Sequence, residues 1–269
     1  MSPEVAVTAW AVWSAGGVSV NEAPVDGSGP GLAPWPDRPA PIVPARGRPV
    51  PPGASALVQL VQAVLTTRRA RVPAPPSTVD LKLGTRTGSR EVDLAFLRSL
   101  AERGDAFGSP SLFAYTLSTA AGGEVSLALG LRGALSTVST GEVSGLTALV
   151  TGAASVSSGR SEACLCGAME VSGSESDVIA LFLLEPAQPY LHAPRMVGWK
   201  LSFDPEARVT DSTRNSVRST MERLAGALAH GESAEIQASC PGGHSALLTV
   251  IPEAGSTVHP ERSDRVERR

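Results

Sequence analysis

The residues able to act as nucleophiles, acids, bases or metal ligands are few and scattered. The thiols are Cys164, Cys166 and Cys240, and the imidazoles are His192, His230, His244 and His259. Cys164-Leu-Cys166 puts two thiols on one face of a strand. No second Cys/His pair completes a four-ligand metal site, so buried small apolar side chains are the simpler reading. His192, His230 and His259 show no spacing that a catalytic or metal centre requires. Ser139, Ser144 and His244 are residue types of a serine hydrolase. A serine elbow needs glycine two residues to either side, and Gly141-Glu-Val-Ser144-Gly145 does not match it. Gly84-Thr-Arg-Thr-Gly88 is bounded by glycines like a phosphate loop but lacks the required lysine. A plain strand-to-helix turn explains those glycines. Glu142 stands apart, lying directly after Thr140-Gly141 and directly before a long apolar stretch. A carboxylate ahead of a helix is stabilised by the unpaired N–H groups of the first turn.

These residues need elements to position them. Val5 to Trp13 is apolar and reads as a buried strand. Pro24 to Pro52 is too dense in proline for helix or sheet interior and reads as an extended surface segment, partly disordered. Leu57, Leu60, Val61, Val64 and Leu65 follow helical spacing and predict an amphipathic helix over Ser55–Thr67. A strand is expected near Val79–Leu83 and a helix over Glu91–Arg103, marked by Leu94, Leu97, Leu100 and Ala101. Gly122–Leu131 looks helical and Ala134–Val138 is a short strand. Val143–Val156 is apolar or small almost all round, which implies a buried helix. Ala163–Val171 and Val178–Leu184 are continuous apolar runs of the central-strand type. Further on, Val197–Phe203 is a strand, and Val217, Met221, Leu224, Ala225 and Leu228 share a helix face that Gly231 stops. Ser245–Ile251 is the last strand. No internal repeat is visible. Strands alternating with helices predict an α/β layered fold.

Gly130-Leu-Arg-Gly133, Thr137-Val-Ser-Thr140, Ser144-Gly145, Gly159-Arg160 and Gly167-Ala-Met-Glu170 together resemble the first half of ketoacyl synthases. In that family a strand ends in a sharp turn bearing a cysteine, a buried helix follows, and the next strand ends in a Gly-Gly-x-Glu-like element. Val5–Trp13 is similar to the family's first strand. Ser109-Pro-Ser-Leu-Phe113 and Ser118-Thr-Ala-Ala-Gly122 are most similar to the short, diverged chain-length-factor-like branch of aryl-polyene-type and type II polyketide systems. The resemblance covers residues 4–13 and 78–184. It implies a thiolase-like layered sheet with a buried central helix, truncated relative to full ketosynthases. Residues 1–21 and 54–251 then form one ketosynthase-like N-terminal-half domain. Residues 22–53 are a Pro-rich surface segment and residues 252–269 a disordered tail.

Two departures from the family bear on function. The residue after Thr140-Gly141 would be cysteine in a working synthase, and here it is Glu142. A thiolate can hold an acyl chain as a thioester, whereas a carboxylate could form only a mixed anhydride. Cys164 and Cys166 lie on the following strand and Cys240 is far downstream, so none is expected to replace that thiol. The family's second half supplies two histidines, and too little chain remains after Leu184 for that half. Ser239-Cys-Pro-Gly-Gly-His244 is similar to one histidine motif and His230-Gly231 to the other. They lie much closer together than in the family, so neither is assigned a role. The resemblance also places Phe113 to Leu117, and Thr119 beyond, near a two-fold interface and an acyl tunnel. Ordinary core packing is the plainer account of that stretch.

A non-catalytic, chain-length-factor-like subunit is therefore expected. Its partners would be an active ketosynthase, in a heterodimer, and an acyl carrier protein. The alternatives are a stand-alone malonyl-carrier-protein decarboxylase or acyltransferase, and a scaffold that docks the carrier protein with no tunnel role. An ionised Glu142 would repel a malonyl carboxylate, which weighs against the first. No cofactor or metal is implied. The net charge of −3 gives no electrostatic reason to bind nucleic acid. No stretch reaches the roughly 20 apolar residues of a membrane helix. An odd cysteine count and no basic-then-apolar leader point to a reducing, cytoplasmic setting.

Overall fold

The computed structural model describes residues 4–14, 17–22, 50–69, 78–104, 108–172, 177–187, 193–204 and 216–252. Most of the Pro-rich segment and nearly all of the expected tail lie outside them. Among the described residues, nine strands form one sheet. In chain order these are β1 (Val5–Ser14), β2 (Gly17–Glu22), β3 (Val79–Gly84), β4 (Leu135–Val138), β5 (Ala163–Glu170), β6 (Val178–Pro186), β7 (Arg195–Phe203), β8 (Ala234–Ser239) and β9 (His244–Ile251). The helices are α1 (Pro52–Arg69), α2 (Arg90–Arg103), α3 (Pro110–Phe113), α4 (Ala120–Leu129), α5 (Ser144–Ser157) and α6 (Val217–His230).

The strand order is β4-β3-β5-β6-β1-β7-β9-β8, with β2 paired to β1. This order contains a repeat that the sequence hides. Helix α5 leads into β5 and β6, and α6 leads into β8 and β9. Within each set the two strands are antiparallel, and the second pairs antiparallel with β1 or β7. β1 and β7 meet through Val5 and Ala6, so the series β5-β6-β1 faces its mirror β7-β9-β8. The first unit continues through β3 and β4, both joined in parallel. Parallel strands need long crossovers. Among the described residues the second unit shows no counterpart of β3 and β4 between β7 and α6.

Two cores sandwich the sheet. On one face, α1 supplies Leu57, Leu60, Val61 and Val64 and α4 supplies Val125, packed on Leu81, Leu83, Leu165, Leu181 and Leu183. On the other, Leu146, Leu149 and Val156 of α5 and Met221 and Leu224 of α6 meet Trp10, Phe182, Ile236 and Leu248. α5 touches β3, β5 and β6 as well as β7 and β9, so it is buried between the two ends of the bent sheet. Its small residues permit this. A Cβ on Gly145 would meet Ala168 and Met221, and one on Gly152 would meet the sulfurs of Cys164 and Cys166. Those cysteines are fully buried packing groups.

Some details differ from the sequence expectation. Helix α1 starts at Pro52, ahead of Ser55, because proline suits a first helical position. Helix α2 forms, but Leu94 and Leu97 are exposed; it rests on α3 through the Phe96–Phe113 ring contact at 5.5 Å. The register puts Lys200, Ser202, Glu235, Gln237, Ser239, Ser245 and Thr249 on the outer face of β7-β9-β8, around a half-buried Leu247. One polar face lets an antiparallel sheet stand in water.

Candidate functional site

The site is the turn between β4 and α5. Gly141 has φ of +66°, a left-handed conformation that favours glycine. Its neighbours Thr140 and Glu142 form an isolated bridge. The Ser144 hydroxyl donates to the Gly141 carbonyl at 2.6 Å and accepts from the Thr140 N–H at 2.9 Å. Ser144 is fully buried, so this hydroxyl ties the turn and is not presented as a nucleophile. The Thr140 and Thr147 hydroxyls meet at 3.0 Å, and Thr147 donates to the Val143 carbonyl.

Glu142 sits two residues before α5, with 19% of its side chain exposed. Its carboxylate meets the Arg86 guanidinium at 3.5 Å. The anion is thus matched by a cation of its own chain. Arg86 belongs to the Gly84–Gly88 loop, and here the structure adds what the sequence did not signal. The N–H groups of Arg86 and Thr87 and the Thr87 hydroxyl all donate to the Glu170 carboxylate. A loop weighed as a phosphate cradle holds an internal carboxylate, the final residue of the Gly-Ala-Met-Glu element. Ser89, just beyond, donates to the Leu117 carbonyl at 3.2 Å.

Cys240, distant in sequence, is adjacent in space. A Cβ on Gly141 would lie 3.4 Å from its sulfur. Cys240 is 4% exposed and opens the β8–β9 turn, where Gly243 N–H donates to its carbonyl. His244 starts β9, exposed and against the Phe203 ring at 4.9 Å. His230 ends α6, and Gly231 caps that helix in the left-handed conformation. The two histidines serve different ends of this unit. Phe113, at the end of α3, and Leu117 are exposed to 59% and 62%. They are surface groups of the free chain, not its core. Thr119 is the exposed N-cap of α4. Burial raises the Cys166 thiol well above its ordinary value, with Cys164 adding to the effect. Among the described residues, no cluster of three potential metal ligands occurs.

Residues 56–192 match the family of the β-ketoacyl synthase N-terminal domain. The chain belongs to the β-ketoacyl synthase family. The expected layered fold with α5 at its centre is the fold of this family's solved structures. One is the ishigamide ketosynthase/chain length factor, with a TM-score of 0.71 and 16% identity over 93% of this chain and 100% of that one. A second is AntDE:AntF, a type II polyketide synthase acyl-carrier protein in complex with its ketosynthase. It gives 0.70 and 17% over 94% and 100%. A third is the ketosynthase ApeO in complex with its chain length factor ApeC from Xenorhabdus doucetiae, at 0.58 and 15% over 91% and 99%. No curated protein sequence matches the chain. No helix among the described residues is long and apolar enough to cross a membrane.

Proposed function

We propose that this chain is a non-catalytic ketosynthase-like subunit that pairs with an active ketosynthase. It would help set the length of a polyketide or fatty-acid-type chain grown on an acyl carrier protein. The observation carrying this reading is the turn before α5. It bears Glu142, held by Arg86, where the family resemblance calls for a thiol. Cys240 beside it is buried, and Ser144 is consumed in closing the turn. The decarboxylase alternative needs a donor toward developing enolate charge. An ionised carboxylate supplies none.

The surface supports pairing. The outer edge of β4 is unpaired among the described residues. Leu135 on β4 and Leu127 on the adjoining α4 are exposed, as are Phe113 and Leu117 in the segment before α4. Exposed apolar groups of this kind mark interaction sites. Two of the solved relatives are likewise described as ketosynthases together with a chain length factor.

Co-expression with a ketosynthase from the same gene neighbourhood tests the reading. The expected result is one co-purifying complex whose product length changes when Phe113 or Leu117 is enlarged or trimmed. Separate, stable proteins, with full-length product from the ketosynthase alone, would refute it. So would release of carbon dioxide from malonyl carrier protein by the isolated chain.

A further inference from the structure

We propose that Glu170 is a positioning residue: it aims Arg86 at the turn before α5, making that turn an anion-holding corner which Glu142 already fills. This rests on geometry and does not depend on the subunit role.

Glu170 closes β5 and is buried. A buried carboxylate must be matched by donors, and among the described residues its donors come from one loop. Arg86 N–H donates to Oε1, Thr87 N–H to Oε2 at 3.2 Å, and the Thr87 hydroxyl to Oε2 at 2.6 Å. The loop is closed on itself by Gly88 N–H donating to the Thr85 hydroxyl at 2.9 Å. Its root is equally constrained, because a Cβ on Gly84 would run into the Ser144 carbonyl. The backbone at Arg86 is therefore pinned from β5 while its side chain spans to Glu142 at 3.5 Å. Arg86 is half exposed. A long side chain so exposed keeps a fixed direction only if its backbone is held. Glu170 supplies that hold without touching Glu142.

A reporter thiol separates positioning from simple fastening. Glu142→Cys places sulfur at the start of α5 with the Arg86 guanidinium facing it from the neighbouring loop, and both favour a thiolate. Its alkylation by iodoacetamide is followed against pH, with the unaltered chain and its three buried cysteines as the blank. We expect E142C to titrate below an ordinary thiol. Adding R86A should shift the profile upward and slow the reaction at neutral pH by about tenfold, one unit of thiol ionisation. Adding E170Q instead should reproduce most of that shift. Adding T87V, which removes a single donor, should give a smaller shift in the same direction. The proposal is overturned if R86A leaves the profile of E142C in place. It is also overturned if R86A moves the profile but E170Q does not. Should E170Q fail to fold, T87V decides, and an unshifted profile there overturns it equally.

Discussion

Gly84 ends β3 directly beneath the first turn of α5, and there is no room between them. A side chain on it would occupy the space of the Ser144 carbonyl and crowd the Gly145 N–H. Both are backbone atoms at the start of a buried helix, so neither can swing aside as a flexible side chain would. Gly84→Ala should therefore cost about 3 kcal/mol, at the upper end for overpacking. Urea unfolding would register this as a lower midpoint with unchanged slope. Gly123→Ala is the control, because a Cβ there meets nothing within 4 Å, and its stability should be equal or slightly higher. At this scale the site was only partly legible in the sequence. Glu142 could be singled out because its neighbours along the chain, Thr140-Gly141 and Ser144-Gly145, are themselves distinctive. Arg86, Glu170 and Cys240 could not be linked to it. Their contacts join residues far apart along the chain, and periodicity reports only local geometry.

Helix α5 and strand β5 meet through Gly152 and the pair Cys164 and Cys166. The Cys166 thiol is raised by burial first, then by Cys164, with Lys82 opposing. The folded state thus keeps this proton at pH values where the unfolded chain has released it. Stability from this source is complete below the unfolded thiol's value, near 8.5, and declines as pH rises above it, by up to about 1.4 kcal/mol per pH unit. Urea midpoints measured from pH 8 to pH 10 should fall, and Cys166→Ala should flatten that decline. A decline of equal steepness in the variant would show that other groups cause it. The same packing explains which elements could be read beforehand. α5, β5 and β6 are apolar nearly throughout because protein covers them on every side, so composition alone identified them. β8 was missed, since Ala-Glu-Ile-Gln-Ala-Ser carries one large apolar residue and its inward face is supplied by Ile236 and two alanines, Ala234 and Ala238. Helix α2 was found by a leucine stripe, yet Leu94 and Leu97 turn outward. Spacing reveals a helix but not which surface will receive it.

Across the whole molecule the sheet has two unlike ends. At the β4 end, Leu135 and, on the adjoining α4, Leu127 are exposed, and under the proposed function a partner sits there. Leu127→Lys should weaken co-purification with the ketosynthase at least tenfold, by burying a charge at the contact, while the free chain's thermal midpoint stays unchanged, because Leu127 is 76% exposed. Lys200→Glu, on the opposite flank, should leave co-purification intact. Equal loss in both variants would argue against pairing through β4. At the far end, Leu201 and Phe203 are exposed on one face of the sheet, while the opposite, outer face of β7-β9-β8 carries Lys200, Glu235, Gln237 and Thr249 around a half-buried Leu247. Any protein laid over that surface would have to strip water from a lysine, a glutamate and several hydroxyl and amide groups without ready replacements. Crowded against neighbours, the molecule thus keeps the outer face of β7-β9-β8 hydrated, a wet flank set by its lysine, glutamate and amide groups. Large tags or surface tethers belong on the wet flank, where they obstruct nothing.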